Sequence, residues 1–94
     1  MRVVITGASS GIGAALARCY AARGATLGLM ARREQALQEL AGALPAPSFT
    51  YPLDVTDAEA LRQAARDFVD RAGVPDLVIA NAGISVGTLT QEAS

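Results

Sequence analysis

Short β-rich runs alternate with stretches of helical periodicity along the chain, and no other feature limits the possible folds as strongly. The predicted strands are Arg2–Thr6, Thr26–Met30, Ser48–Leu53 and Asp76–Ala80. The predicted helices run from about Gly11 to Arg23, from Arg33 to Leu44, and from the segment Thr56–Glu59 to Gly73. Strands that alternate with helices of this length form a parallel sheet with crossover helices. We therefore predict an α/β fold with the element order βαβαβαβ over residues 1–80.

Pro52 indicates where the third strand lies in the sheet. Proline donates no backbone hydrogen bond, and it is tolerated mainly on an edge strand. In a doubly wound parallel sheet with the strand order 3-2-1-4, the third strand is at the edge. We predict this order for the four strands.

Apolar spacing predicts the buried face of each helix. In the first helix the apolar stripe is Ile12, Leu16, Cys19 and Tyr20. In the second helix it is Leu37, Leu40, Ala41 and Leu44, and in the third it is Leu61, Ala65, Phe68, Val69 and Ala72. At the start of the third helix, Thr56 and Glu59 have the spacing of a capping box, in which each side chain bonds the backbone N–H of the other residue.

Composition and charge exclude several classes of function. The 94 residues carry a net charge of −1, and the scattered arginines form no basic patch for nucleic acid or anionic lipid. The first apolar run ends at Thr6, too early for a signal peptide or a membrane span. The single cysteine, Cys19, suits a reducing compartment, so we expect a cytoplasmic protein. We predict no metal site.

A glycine-rich turn, TGASSGIG, lies between the first strand and the first helix. Gly7 allows a tight turn out of the strand, Gly11 leaves room for a pyrophosphate at the helix N-terminus, and Gly13 allows close packing of the helix on the sheet. A strand–turn–helix corner that is merely rich in small residues is the alternative. The position of the turn in the first βα unit favours dinucleotide binding.

The residues between these glycines fit the same hypothesis. Ser9 and Ser10 can cap the helix and donate hydrogen bonds to phosphate oxygens. The backbone N–H groups of the first turn, including that of Ile12, and the positive end of the helix dipole also favour phosphate. A P-loop is excluded because the chain contains no lysine.

The TGxxxGxG spacing of this turn resembles the cofactor motif of the short-chain dehydrogenase/reductase family. Asp54-Val55, at the end of the third strand, looks like the family's pair that meets the adenine ring. Asn81-Ala82-Gly83, after the fourth strand, looks like the NAG motif, which supports the central sheet and lines the adenosine ribose. Taken singly, each of these two segments reads equally as a plain turn. Three motifs in the right order at the ends of successive strands make the resemblance specific.

The resemblance implies a Rossmann-like domain that binds a dinucleotide. Residues 1–94 are then expected to form a single partial domain, in which residues 81–94 hold the NAG motif and a tail leading to a further helix. It also implies a homo-oligomer. The fourth strand, with Leu77, Val78 and Ile79, is expected to present an apolar edge that promotes self-association.

The end of the second strand predicts NADP rather than NAD. An NAD site usually has an acidic residue about 20 residues beyond the glycine turn, bonded to the ribose 2′-hydroxyl. Here Arg32 and Arg33 come first, and no carboxylate precedes Glu34. A guanidinium matches a 2′-phosphate in charge and geometry. We predict Arg32 as the main contact and Arg33 as a weaker one, with Ser10 as a further candidate, although Arg33 could equally be an ordinary surface residue.

The resemblance also implies which residues the chain lacks. In the family, a tyrosine and a lysine four residues later carry the acid–base chemistry. Here Tyr20 is followed at that spacing by Gly24, and Tyr51 by Val55. We therefore predict no catalytic residue and no activity for the chain alone, as the truncated cofactor half of an NADP-dependent oxidoreductase acting on an alcohol or carbonyl substrate. The alternative is a non-catalytic dinucleotide-binding protein, or a structural fragment that needs a complementary chain.

Overall fold

The computed structural model describes residues 1–81, which form four strands and three helices. In chain order these elements are β1 (Arg2–Thr6), α1 (Gly11–Ala22), β2 (Thr26–Ala31), α2 (Glu34–Ala43), β3 (Ser48–Pro52), α3 (Ala58–Ala72) and β4 (Leu77–Ala80). The predicted element order is confirmed, and the bounds differ from the prediction by one or two residues. None of these helices is both long and apolar enough to cross a bilayer.

The strands form one parallel sheet in the order β3-β2-β1-β4, as the position of Pro52 predicted. Val4, at the centre of β1, lies opposite Gly28 of β2 on one side and Val78 of β4 on the other. Pro52 pairs with Ala31 at the end of the edge strand β3, where its missing N–H interrupts no inner ladder.

Alternate residues of the central strands point to opposite faces of the sheet, and each face has its own core. Val3 and Ile5 pack with Leu27 and Leu29 beneath α1 and α2. Val4 and Met30 pack on the other face with Phe68 of α3. Burial on both faces explains why β1 and β2 are continuously apolar rather than alternating.

Phe68 anchors α3 to the sheet because Gly28 leaves room for its ring. The ring is fully buried and meets the ring of Phe49 edge-on at a centroid distance of 6.1 Å. A Cβ placed on Gly28 would lie 2.7 Å from Phe68 Cδ1, well inside van der Waals contact. The small residue on β2 and the large one on α3 therefore form a matched pair.

The predicted face of α1 is wrong for Ile12 and Cys19. Ile12 is 69% exposed and Cys19 is also exposed, whereas Leu16 and Tyr20 pack partly buried against the core as predicted. The fully buried residues are Gly13, Ala17 and Ala21, whose small side chains let α1 lie close to the sheet. The interpretation of Cys19 as a packing residue fails for the same reason.

The α3 stripe needs a smaller correction. The buried residues are Ala64 and Phe68, with Leu61 and Ala72 partly buried, while Ala65 and Val69 are exposed. The face of α3 that packs on the sheet is therefore centred on Ala64 and Phe68 rather than on the predicted stripe.

The capping box at the start of α3 is also wrong. The N-cap residue is Asp57, whose carboxylate accepts a hydrogen bond of 3.1 Å from the Ala60 N–H. Asp is as good an N-cap as Thr, and it stands one residue closer to the helix. Thr56 is released from capping, and its hydroxyl bonds Asp54 instead.

Arg2 links the C-terminus of α3 to the start of β4. Its Nε donates to the carbonyl oxygen of Ala72 at the C-terminus of α3, 2.5 Å away, and its backbone N–H donates to Asp76 Oδ2 at 2.8 Å. Asp76 returns a backbone hydrogen bond of 2.8 Å to the Arg2 carbonyl. A cation at a helix C-terminus also interacts favourably with the helix dipole.

Candidate functional site

The carboxyl ends of the four parallel strands surround an open cleft of about 720 Å³. Parallel α/β sheets place their binding sites at this end, where loops from successive strands converge. The lining residues are Gly7, Ser9, Ser10, Ile12, Ala31, Arg32, Arg33, Leu53, Asp54, Val55, Thr56 and Asn81. The cleft therefore brings together residues from the glycine turn and from the ends of β2, β3 and β4.

The glycine turn forms the floor of one side of the cleft. Gly7 has a φ of 66°, which glycine adopts without strain, and the Gly7 carbonyl accepts a hydrogen bond of 3.3 Å from the Ser10 N–H. Ala8 donates its N–H to the Met30 carbonyl at 3.0 Å, which fixes the turn against β2. The turn is thus held by backbone bonds on both sides.

Ser10 occupies the N-cap position of α1 without capping it. Its hydroxyl donates to the Gly7 carbonyl at 3.0 Å and accepts no N–H of the helix, so the expectation of a serine cap fails at this residue. The turn is tight enough to bring the Gly7 oxygen within reach of both donors of Ser10. N–H groups in the first turn of a helix have no intrahelical acceptor, and here none is taken by the serine side chain.

The N-terminus of α1 differs in charge from the N-termini of α2 and α3. Glu34 and Glu59 stand in the first turns of α2 and α3, whereas the first turn of α1 contains no acidic residue. The positive end of the α1 dipole therefore has no carboxylate in its own first turn. Such an end favours an anion.

The three positions Gly7, Gly11 and Gly13 differ in whether the structure requires a glycine there. Gly7 is required by its positive φ, as above. A Cβ on Gly13 would lie 2.2 Å from the Gly7 carbonyl oxygen and 2.9 Å from Asn81 Nδ2, so close packing requires this glycine. A Cβ on Gly11 would meet no protein atom within 4 Å. Backbone conformation therefore explains Gly7, packing explains Gly13, and neither explains Gly11.

Asn81 connects the end of β4 to the glycine turn. Its backbone N–H donates to Thr6 Oγ1 at 3.0 Å, and its side-chain amide donates to the Gly7 carbonyl at 3.4 Å. The Thr6 hydroxyl in turn donates to the Ile79 carbonyl at 3.4 Å. Asn81 thus bonds β1 through its backbone and the glycine turn through its side chain. Its predicted companions Ala82 and Gly83 lie outside the described residues.

Two arginines follow β2 at the rim of the cleft. Arg32 and Arg33 are both exposed, and Arg33 stands at the N-cap position of α2 without a side-chain capping bond. Across residues 1–81, the ion pairs join Arg62 to Glu59 and Arg71 to Asp67, and neither involves these two arginines.

Asp54 faces the cleft from the end of β3, with Val55 half-buried beside it. Asp54 Oδ1 accepts two hydrogen bonds from Thr56, one from the backbone N–H at 2.9 Å and one from the hydroxyl at 2.8 Å. These two bonds, assisted by the charge of Arg32, lower the pKa of the Asp54 carboxyl. The sequence analysis did not identify Thr56 as part of the site. An Asp side chain commonly bonds the backbone N–H two residues later in a turn, and this signal could have identified it.

Neither tyrosine lines the cleft. Tyr51 is half-buried against α3, where its hydroxyl donates to Asp67 Oδ2 at 2.7 Å. Burial, with help from the hydrogen bond and charge of Asp67, raises the pKa of Tyr51 above its ordinary value. Tyr20 packs at the margin of the α1 core, as predicted, with Arg23 stacked 5.9 Å from the ring centroid.

Both the sequence and the fold of this chain match known proteins. A family model described as short chain dehydrogenase matches residues 1–94, the full sequence. The chain belongs to the short-chain dehydrogenase family. The parallel sheet in the order β3-β2-β1-β4 is Rossmann-like, as in solved members of this oxidoreductase family.

Individual relatives agree with the family assignment. An uncharacterized oxidoreductase of Mycobacterium tuberculosis is 44% identical over 94 residues, a match that covers 92% of this chain and 36% of the relative. 11-beta-hydroxysteroid dehydrogenase A of Sesamum indicum is 46% identical over 94 residues, covering 96% of this chain and 27% of the relative.

A solved alcohol dehydrogenase from the archaeon Thermococcus sibiricus, complexed with 5-hydroxy-NADP, is 40% identical with a TM-score of 0.77. The match covers 89% of this chain and 37% of that one. This short-chain dehydrogenase chain therefore spans 27% to 37% of the length of these relatives.

Proposed function

We propose that this chain binds the adenosine, 2′-phosphate and pyrophosphate portions of NADP for an oxidoreductase that moves hydride between NADP(H) and an alcohol or carbonyl carbon. The observation that carries the proposal is the open space at Gly11. Gly11, which no protein contact requires, stands at a helix N-terminus without acidic residues in its first turn. Its neighbours Ser10 and Ile12 line the cleft that also holds Arg32 and Asp54.

The pyrophosphate is assigned to the glycine turn. Phosphate oxygens would accept from the N–H groups at the start of α1, at Gly11, Ile12 and Gly13, and from the Ser9 hydroxyl. A methyl group at Gly11 would enter the space that a phosphate needs. Ser10 contributes less to this contact, because its hydroxyl already donates to the Gly7 carbonyl.

The 2′-phosphate is assigned mainly to Arg32, with Arg33 as a weaker contact. Both guanidiniums are exposed at the cleft, and among the described residues neither is held in an ion pair. The end of β2 supplies no carboxylate to accept a ribose 2′-hydroxyl, which disfavours NAD. The ligand of the Thermococcus sibiricus relative, 5-hydroxy-NADP, supports the same preference.

The adenosine is assigned to Asp54, Val55 and the NAG motif that begins at Asn81. Asp54 is an exposed carboxylate that can accept from the exocyclic amino group of adenine. Asn81 lines the same cleft beside the glycine turn, where its amide donates to the Gly7 carbonyl. These residues complete a site for one half of a dinucleotide.

When bound, NADP would supply the hydride acceptor and NADPH the hydride donor. The residues of this chain would bind and orient the cofactor, and they do not include an acid–base pair. Tyr51 is bonded to Asp67 away from the cleft, and the sequence has no lysine. We expect the 94 residues alone to bind the cofactor without catalysing hydride transfer.

A structural role through self-association is favoured by the edge of the sheet. Leu77 is 38% exposed and Val78 is 48% exposed on β4, which within residues 1–81 pairs only with β1. An exposed apolar edge strand promotes pairing with another chain. Sedimentation of the chain should show concentration-dependent association that Val78→Lys reduces, and a parent chain that stays monomeric would contradict this second role.

Calorimetric titration with NADP, NAD and 2′-phospho-AMP tests the main proposal. NADP and 2′-phospho-AMP should bind, and NAD should bind about tenfold to a hundredfold more weakly, the range expected for loss of a charge-assisted hydrogen bond. Arg32→Ala should remove most of this difference. If Arg32→Ala binds NADP and NAD in the same ratio as the parent, the assignment of the 2′-phosphate is wrong.

Gly11→Ala tests the pyrophosphate assignment, with Gly42→Ala as a matched control. A Cβ at either position meets no protein atom within 4 Å, and both residues lie near helix ends. Gly11→Ala should weaken NADP binding at least about tenfold, equal to about 1.4 kcal/mol, while Gly42→Ala should leave it unchanged. Equal binding by the two variants would show that the pyrophosphate does not lie at the glycine turn.

A further inference from the structure

Asp54 is held in one orientation by a neighbour that the sequence motifs do not include. Both Thr56 donors reach the same oxygen, Oδ1, at 2.9 and 2.8 Å. A backbone bond of 2.9 Å from the Asp57 N–H to the Asp54 carbonyl closes the same turn. Among the described residues, no donor bonds Asp54 Oδ2. The carboxylate therefore has one oxygen taken and one free.

We propose that Thr56 is a positioning residue for the adenine site. By holding Oδ1 of Asp54, Thr56 orients the carboxylate so that Oδ2 accepts a hydrogen bond from the exocyclic amino group of adenine. The cleft then selects adenine over a base that carries a carbonyl oxygen in place of this amino group. This inference rests on the proposed function and extends it from the cofactor class to the choice of base. Thr56 itself touches only Asp54 in this role.

The nearby guanidinium of Arg32 is a reason for Thr56 to hold the Asp54 carboxylate in one orientation. Arg32 lines the same cleft, and its charge acts on Asp54, yet these two residues form no ion pair. An unrestrained carboxylate beside a free guanidinium tends to pair with it. Such a pair would remove the adenine acceptor and the 2′-phosphate contact together, so Thr56 keeps two ligand-binding groups separate.

The ionisation of Asp54 agrees with this arrangement. The Thr56 bonds favour the charged form of the carboxyl and lower its pKa, so the acceptor stays ionised in mildly acidic solution. A neutral carboxyl would present a hydroxyl to the base and lose the selectivity for an amino group.

The test compares NADP with its hypoxanthine analogue, nicotinamide hypoxanthine dinucleotide phosphate, by calorimetric titration. The two ligands differ only at C6 and the adjacent N1, where adenine has an amino group beside an unprotonated nitrogen and hypoxanthine has a carbonyl oxygen beside an N–H. The parent chain should prefer NADP about tenfold, as expected for one charge-assisted hydrogen bond. Thr56→Val keeps the shape and the backbone N–H but removes the hydroxyl, and it should lower the preference below about threefold. Thr56→Ser should restore it.

Two further measurements separate the possible failures. Asp54→Asn should abolish the preference, and circular dichroism should show that each variant is folded. A Thr56→Val chain that keeps the full preference would overturn the role of Thr56, and an Asp54→Asn chain that keeps it would place the base elsewhere. Equal binding of the two ligands by the parent overturns this inference and leaves the proposed function standing. A folded parent that binds neither ligand overturns both.

Discussion

Replacing Gly13 by alanine perturbs the contact that joins the glycine turn to α1. The new Cβ would lie 2.2 Å from the Gly7 carbonyl oxygen, 2.9 Å from the Gly7 carbonyl carbon and 2.9 Å from Asn81 Nδ2, whereas ordinary contacts begin at 3.4 Å. Two of these three atoms belong to the backbone of a turn that is bonded to β2, so the strain cannot be relieved by a side-chain rotation. The helix and the turn must separate.

The expected destabilisation follows from three contributions. Overpacking of a tight contact costs about 1–3 kcal/mol. Separation also weakens the hydrogen bond from the Asn81 amide to the Gly7 carbonyl, which is long at 3.4 Å and contributes about 0.5 kcal/mol. The better helix propensity of alanine offsets about 0.5–1 kcal/mol. The free energy of unfolding of Gly13→Ala should therefore fall by about 0.5–3 kcal/mol.

Equilibrium unfolding in urea, followed by circular dichroism, measures this change. For a domain of this size the expected loss lowers the urea midpoint by about 1 M. Gly11→Ala is the matched control in the same turn, because its Cβ meets no atom within 4 Å, and its midpoint should equal or exceed that of the parent. A Gly13→Ala midpoint within about 0.2 M of the parent would refute the packing argument.

Three other perturbations test the surrounding structure. The folded state binds the Tyr51 proton more tightly than the unfolded state does. The contribution of Tyr51 to stability should therefore be constant below the ordinary tyrosine pKa of about 10 and fall above it. Thermal unfolding of Tyr51→Phe, which cannot bond Asp67, should show a shallower alkaline decline, and identical declines would contradict the role of this pair. Gly28→Ala should lower the free energy of unfolding by about 1–3 kcal/mol, because its Cβ would lie 2.7 Å from the Phe68 ring; an unchanged urea midpoint would show that the ring moves freely. Arg2→Met should cost about 1 kcal/mol through loss of the bond to the α3 terminus, and a measurable change in NADP affinity would contradict the separation of this residue from the cleft.

The sheet was predictable because its signals are local and have a single physical cause. Proline at position 52 favours an edge strand, which agrees with the doubly wound order 3-2-1-4 that the structure confirms. The turns at Gly7 and Gly24 could also be predicted, since both residues have the positive φ that glycine supplies at a strand exit and a helix end. These features depend on the backbone alone.

The helix faces were less predictable because they depend on how closely two elements approach. Helical periodicity favours large apolar residues as the buried stripe, so the prediction placed Ile12 rather than Ala17 on the buried face. Close packing of α1 selects small residues instead, which leaves Ile12 at the cleft with its side chain mostly exposed. The same limit applies to Thr56, whose partner depends on whether Asp57 or Thr56 caps α3.

Arg2 and the cleft lie at opposite ends of β1, and this separation has a practical consequence. Arg2 bonds the end of α3 and the start of β4, whereas the cleft begins one residue after β1 ends. Met1, beside Arg2, is 65% exposed. A dye or a surface tether attached at the N-terminus would therefore leave the cleft facing solution, so that ligand binding could be followed on an immobilised chain.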